Sequence, residues 1–499
     1  MKRTVSFLLA LLLTAGTLLS CSESKPNADT PAADPTSQNP AAEVQAETEA
    51  ETELARANVP DSLPALDFNG STAVIHSRGD TESVTEVYSE ELTGESVADA
   101  IYERNNLVEE RLNCKIEVFA ADGWENYNAT VSSLRASIMS GDGAYDIVAG
   151  WSARIPALSL EGLFLDLNKL NYLDLGAQWW SQSAVSELQL GNKLYFATGD
   201  IARTMLSAMC VYIFNQRVAN DNQVENLYDV VNEGRWTVDY VYDLTSQIYT
   251  DLDGNGQADL TDYWGLNGTC LNDADAYMQG SRVSMVTRDE EGYPVLTVNE
   301  EHLTELVEKV YHLMWENPGA FILSGQDTNL KDTIGQDRAL LCSTRLRIVI
   351  EQLADMESDY GVLPYPKLND SQTEYGTRVQ DALSLWSVPI DVKDPDLSTA
   401  VMEALAAQSW RTTTPAYFDV ALKSRYSRDP ETSAMMDLIK DSVLINFESL
   451  YNESIGNPWF VMRTLMPAKN ASFSSWWASN RKSMNKVFEK AIQKLKDLD

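Results

Sequence analysis

The chain reads as an α/β protein of two lobes with a crossover in mid-chain. Three observations predict this. Its 499 residues exceed one ordinary domain and suit two lobes of roughly 150–200 residues each. The first folded stretch alternates strand and helix, the pattern of a parallel sheet with right-handed crossovers. In mid-chain, Leu190-Gly191-Asn192-Lys193-Leu194-Tyr195-Phe196-Ala197-Thr198-Gly199-Asp200 is a tight turn, a short apolar strand and a second break. A Gly-flanked strand there can carry the chain from one lobe to the next, because a hinge needs only a few residues that absorb backbone rotation. Residues 197–203 are therefore expected to be the first crossover, with a ligand held beside it.

Hydrophobic residues make up 44% of the sequence, enough to bury a sizeable core. The net charge of −36 repels phosphate backbones, so nucleic-acid binding is not expected. Met1-Lys2-Arg3 followed by the apolar run 5–19 has the layout of a secretory signal and is too short for a spanning helix. The run ends in Leu18-Leu19-Ser20-Cys21, which resembles a bacterial lipobox. That resemblance implies removal of residues 1–21 as a lipoprotein signal, with Cys21 becoming the lipidated, palmitate-bearing first residue of a membrane-anchored protein. Residues 22–65, rich in Pro, Ala, Ser, Thr and Glu, bury too little to offset ordering entropy and are expected to be a disordered tether. Cys114, Cys210, Cys270 and Cys342 include no CxxC pair, which argues against zinc. Their spacing leaves open whether they form disulfides or buried free thiols.

Order is expected from about Leu66. Residues 71–76 form a strand. An amphipathic helix at 95–112 places Val97, Ile101, Val108 and Leu112 on one face. Residues 115–119 form a second strand. Tyr127, Val131, Leu134 and Ile138 mark a second helix, stopped at Gly141-Asp142-Gly143. Residues 145–149 form a third strand, continuously apolar at its end as buried parallel strands are. Ligands in such sheets sit outside the carboxyl ends of the strands, which makes Gly150-Trp151-Ser152-Ala153-Arg154 a binding edge.

Several short motifs occur in a suggestive order: Tyr145-Asp146-Ile147-Val148, Gly162-Leu163-Phe164-Leu165-Asp166-Leu167-Asn168 and Gly191-Asn192-Lys193-Leu194-Tyr195. Phe214-Asn215, Asn226-Leu227-Tyr228-Asp229, Gly234-Arg235-Trp236-Thr237 and Gly361-Val362-Leu363-Pro364-Tyr365-Pro366-Lys367 follow. From residue 70 to the end the chain resembles the extracellular solute-binding proteins of bacterial ABC importers, in the large family that handles sugars and oligosaccharides. The resemblance implies a type II periplasmic-binding-protein clamp, its lobes joined by crossing strands, that closes on a carbohydrate and delivers it to an ABC permease. It implies a monomer on the outer face of the cell membrane. On that basis lobe one comprises 66–200 plus 385–430, and lobe two 201–384 plus 431–499. Ala382-Leu383-Ser384-Leu385-Trp386-Ser387-Val388-Pro389 looks like the second crossover. Residues 396–410 are then a lobe-one helix, and the final helices, 433–447 and 475–498, pack on lobe two.

Asp251-Leu252-Asp253-Gly254-Asn255-Gly256-Gln257-Ala258-Asp259-Leu260-Thr261-Asp262 fits a calcium loop. Asp251, Asp253, Asn255, Asp259 and Asp262 supply side-chain oxygens at positions one, three, five, nine and twelve, Gln257 its carbonyl, and Gly256 the sharp turn. Asp262 departs from the usual Glu; its shorter reach weakens affinity or tilts it toward magnesium. The ion would be structural, stapling a loop after a helix at 238–249.

Aromatic residues are abundant, with 12 Trp and 21 Tyr. Sugar rings offer apolar C–H faces to aromatic plates and a rim of hydroxyls to Asp, Asn and Arg. Trp151, Trp386, Trp476 and Trp477 are candidate plates; Trp179, Trp180 and Trp236 suit packing. Arg154, Asp200, Arg345 and Asp381 are candidate polar contacts. An enzyme is not expected: there is no HExxH, no G-x-S-x-G turn and no phosphate-binding glycine loop. The rival readings are a secreted glycan-processing enzyme, since paired carboxylates cannot be read from spacing, and a surface glycan-adhesion protein without transport.

Overall fold

Parallel pairing starts at the first apolar strand. β1 (Ser71–Arg78) lies between β2 (Cys114–Ala121) and β3 (Ile147–Trp151), with Ser71 opposite Cys114 and Ile75 opposite Ile147. α1 (Ser96–Leu112) buries Ile101, Val108 and Leu112 at helical spacing. α2 (Tyr127–Ser140) stops at Gly141, whose φ of 72° is the left-handed cap that glycine supplies. A computed structural model carries these elements and describes residues 56–122, 126–417 and 430–498. Cys21, the signal stretch and the tether up to residue 55 lie outside the described residues.

Lobe two is built on a mixed sheet. β4 (Cys210–Asn215) runs antiparallel to its later neighbours. β5 (Tyr263–Thr269) leads into α3 (Asn272–Gly280), a hairpin of β6 (Val286–Arg288) and β7 (Pro294–Leu296), and α4 (Glu300–Tyr311). β8 (Ala320–Leu323), β9 (Ala339–Arg345) and β10 (Tyr360–Leu363) follow in the same sheet, and the two-residue strand Tyr249–Thr250 pairs with the start of β5. β4 sits between β10 and β9, and β5 between β9 and β8. β9 is buried at every position, as a strand covered on both faces must be.

The chain then returns. β11 (Ser384–Ser387) adds to lobe one antiparallel to β3, with Leu385 opposite Gly150. The first crossing lies later than residues 197–203. Ala197 is still paired with Trp386 in the lobe-one sheet, and the two connections run side by side where Met209 bridges Val379. Gly199 is required by a close approach, since a Cβ there would lie 2.3 Å from the Trp179 carbonyl oxygen. α5 (Pro395–Gln408) packs on α1 as a lobe-one helix. α6 (Pro430–Asp441) packs on β10 in lobe two. α7 (Val461–Leu465) and α8 (Phe473–Lys496) end the fold. No described helix is long and apolar enough to cross a membrane.

Two boundaries differ from the sequence reading. Residues 56–65, assigned to the tether, pack on lobe one: Leu63 is buried, and Asp61 pairs with Arg111 of α1 at 2.6 Å and with Arg411 at 2.9 Å. One buried leucine and one carboxylate shared by two guanidinia hold a stretch whose composition alone reads as unstructured. The C-terminal region assigned to lobe two divides its packing. The Ser159 and Tyr451 hydroxyls lie 2.9 Å apart, and Lys193 Nζ donates to the Leu498 carbonyl at 2.8 Å, both anchoring it to lobe one. α8, roughly 36 Å long, buries Phe473, Trp477 and Met484 in the lobe-two core and Phe488, Ile492 and Leu495 in the cluster containing lobe one's core. The four described cysteines are free and buried.

Candidate ligand-binding cleft

The carboxyl ends of the lobe-one strands assemble the first wall. β3 ends at Trp151, which is half-buried and meets Tyr127 of α2 edge-on at 4.8 Å between ring centroids. The Arg154 guanidinium lies 4.7 Å from the Tyr127 ring and 5.5 Å from the Trp151 ring; Arg78, at the end of β1, lies 5.8 Å from Trp151. Such contacts hold flat rings and cations together without using up the ring edges. Arg154 also forms an ion pair with Glu453, joining this wall to the C-terminal region. The β11 approach closes the base: Ser152 Oγ donates to the Asp381 carbonyl at 2.9 Å, and Arg78 Nη2 to the Ala382 carbonyl at 2.9 Å.

The carboxyl edge of lobe two supplies the opposing wall. Arg345, the last residue of β9, donates to Gln380 Oε1 at 2.6 Å and pairs with Asp327. Beside it four charged groups interlock. Arg378 Nη2 lies 2.9 Å from Asp381 Oδ1 and 3.5 Å from Asp275; Arg463 Nη2 lies 3.0 Å from Asp381 Oδ2, and its Nε pairs with Asp275. Asp275 and Arg378 are 0% and 1% exposed at the side chain, whereas Asp381 and Arg463 are 23% and 21% exposed. The buried half thus fixes the half that meets solvent. Burial pushes the Asp381 carboxyl up, but Arg378 and Arg463 outweigh it and hold the carboxyl below its usual range. The Arg463 guanidinium stands 4.9 Å from the ring of half-buried Phe460.

The candidate residues therefore separate. Trp151, Arg154, Arg345 and Asp381 come together at this seam. Trp386 does not: it is 0% exposed, because β11 lies between β3 and the segment at Ala197 that bridges it, and its side chain belongs to the lobe-one core. Trp477 is 5% exposed in the lobe-two core, its indole N–H donating to Glu300 Oε1 of α4 at 3.0 Å. Trp476 packs half-buried against it, so this pair serves the α4–α8 contact rather than the seam. Asp200 also lies elsewhere, its N–H bonded to the Trp179 carbonyl. Burial raises its carboxyl despite Lys440 and Thr414 beside it. Trp179 and Trp180 have the packing role expected, both indoles donating to the buried Glu403 carboxylate of α5.

Tyr127, Arg78, Asp275, Arg378, Phe460 and Arg463 belong to the seam without having been singled out. Asp275 had a readable signal, since it opens the helix after a parallel strand, where the carboxyl-edge rule applies equally. Arg378 carried a weaker one, three residues before Asp381 in the crossing. Arg463 and Phe460 arrive from a distant helix, and no local pattern marks them.

In the acidic loop, carboxylate oxygens of Asp251, Asp253 and Asp262 lie within 4.8 Å of one another. Asp251 accepts the Gly256 N–H at 2.9 Å, and Gly254 and Gly256 take φ of 71° and 74°, so the loop turns sharply where glycine is needed. The Gly256 N–H is the main cause of a lowered Asp251 carboxyl. Asp262 is fully buried, accepting from the Leu252 N–H at 3.1 Å and the Asp259 N–H at 3.2 Å. Asn255 Oδ1 faces the Gln257 N–H at 2.6 Å, and Asp259 Oδ1 bonds Thr261. An all-oxygen donor set of this kind fits a hard divalent cation.

No protein-family signature and no curated protein matches the chain in sequence. Solved structures do match in fold. A cyclo/maltodextrin-binding protein complexed with maltotetraose superposes with a TM-score of 0.55 at 13% identity, over 86% of this chain and 97% of that one. An ABC substrate-binding protein from Listeria monocytogenes in complex with cycloalternan gives 0.50 at 13% identity, over 86% and 98%. The chain has the two-lobed, maltose-binding-protein-like fold of ABC substrate-binding proteins.

Proposed function

We propose that the protein is a lipid-anchored extracellular solute-binding protein that captures a mono- or oligosaccharide between its lobes and delivers it to an ABC import permease. The observation that carries this reading is the seam itself. A half-exposed aromatic pair, Tyr127 and Trp151, stands at the carboxyl edge of the lobe-one sheet, and the next residue, Ser152, bonds the backbone carbonyl of Asp381, whose side chain pairs with Arg463. The fold supports it, because two of the proteins it matches are described in complex with maltotetraose and cycloalternan. Capture works by closure: a ligand touching both walls favours the closed arrangement by its differential affinity, and a permease reads that state. Cys21 would carry the anchoring lipid. Coelution of the protein with an intact saccharide after gel filtration tests the reading. Cleaved saccharide would instead establish a glycan-processing enzyme.

The loop at 251–262 is proposed to hold a structural Ca2+ ion, with Asp251, Asp253, Asn255, Asp259 and Asp262 as side-chain ligands and Gln257 through its carbonyl. The convergence of three carboxylates on one point supports this. The ion would neutralise a cluster that otherwise repels itself and would lock the loop without entering the cleft.

A further inference from the structure

The charge arithmetic of the seam bears on the class of saccharide, and this inference rests on the carbohydrate reading. Every guanidinium described there already faces a carboxylate: Arg78 faces Asp80, Arg345 faces Asp327, Arg154 faces Glu453, and Arg378 and Arg463 share Asp275 and Asp381. Although arginines converge on the seam, none stands as a cation without a counter-charge. The solvent-facing group of the cluster is a matched pair. Asp381 gives one oxygen to each guanidinium, and an ionised carboxylate has about four acceptor sites, so acceptor capacity remains on both oxygens. Arg463 commits Nε and Nη2, while Nη1 has no hydrogen-bond partner among the described residues.

We propose that Asp381 and Arg463 are the specificity-determining pair of the cleft, recognising adjacent hydroxyls of an uncharged saccharide and rejecting uronic acids. Two neighbouring hydroxyls offer a donor and an acceptor together, which a carboxylate beside a guanidinium complements. Phe460, under the guanidinium, helps hold it in place beside Asp381. A ligand carboxylate on Arg463 would instead lie next to Asp381. Like charges brought together in a partly desolvated site act as a barrier to the wrong ligand. The remainder of the protein, at net charge −36, adds repulsion at longer range.

Calorimetric titration of the full chain with neutral trisaccharides and the matching uronic-acid trisaccharides tests this directly. The expected result is saturable binding of a neutral member and at least ~100-fold weaker binding of its uronate counterpart, a difference of about 2.7 kcal/mol. Asp381→Asn should weaken the neutral ligand and strengthen the uronate, because it removes the repelling charge and leaves two guanidinia with one carboxylate. Arg463→Gln should weaken the neutral ligand without any gain for the uronate, and melting curves establish that each variant is folded. Uronate binding as tight as neutral binding, or no movement in selectivity for Asp381→Asn, overturns the proposal and leaves carbohydrate capture standing. Failure of both sugar classes to bind the folded wild type overturns carbohydrate capture itself, and this proposal with it.

Discussion

Three tryptophans show how one residue type divides between a partly exposed seam and the core. Trp151 ends a buried parallel strand and keeps part of its ring exposed. Trp151→Ala should therefore lower saccharide affinity by roughly 5- to 150-fold, corresponding to about 1–3 kcal/mol of lost stacking area, while leaving the fold intact. Trp477 sits in the lobe-two core, so Trp477→Ala should cost roughly 3–5 kcal/mol of stability and leave affinity unchanged in the folded fraction. Chemical denaturation and calorimetry on both variants separate the two outcomes. The place of Trp151 at the seam was legible because a strand end at the carboxyl edge of a parallel sheet stands near the surface. Trp386 and Trp477 were not, because a tryptophan on a crossing strand or a terminal helix looks the same in sequence whether it faces a cleft or a core. The apolar spacing of Phe473, Trp477 and Met484 along α8 is the packing signal that outweighed proximity to the ligand wall.

At the scale of elements, the strand–helix alternation of lobe one was readable almost position by position, because periodicity reports burial directly. The sharp turn of the acidic loop was readable too, since its glycines take the positive φ that the turn needs. Calcium added to metal-free protein should raise the melting temperature, and Asp251→Ala combined with Asp253→Ala should remove that gain. An unchanged melting curve on adding calcium would eliminate the ion. The ordered segment at 56–65 was illegible because its anchors, Arg111 and Arg411, lie far away in sequence. Burial raises the Asp61 carboxyl, but the bonds from Arg111 and Arg411 prevail and lower it to about 2. This contribution to stability is present above the unfolded carboxyl range and is lost as pH falls toward 2. Arg411→Ala should free the segment, seen as faster proteolytic cleavage before residue 66 at neutral pH. Unaltered cleavage would show the Arg411 contact to be dispensable.

Across the whole molecule, several buried carboxyls set the opposite trend nearer neutrality. Burial pushes Glu403 and Glu448 up to about 7, and Asp273 up to about 6, against the hydrogen bonds each accepts. Carboxyls raised in the folded state contribute stability that is complete below their unfolded values and is lost as pH climbs through the folded ones. The chain should therefore melt several degrees higher near pH 5 than near pH 8. Glu403→Gln should flatten part of that slope, because its carboxyl is the one clasped by Trp179 and Trp180. A melting temperature that rises from pH 5 to pH 8 would contradict this.

The two-lobed plan was legible from length and alternation, whereas the mid-chain break at 197–203 precedes the crossing, which runs where Met209 bridges Val379. The shuttling of the C-terminal region between lobes was not, because it depends on which surfaces a long amphipathic helix meets. Carbohydrate capture at the seam is the central claim. Its most direct measurement is the unfolding free energy of the wild-type chain against a panel of neutral oligosaccharides. A saccharide bound at the seam should add about 2.7 kcal/mol at 100 times its Kd, and Trp151→Ala should cut that gain by about 0.9–2.4 kcal/mol at the same concentration. Equal stabilisation of wild type and variant, or none with any saccharide, would contradict the account.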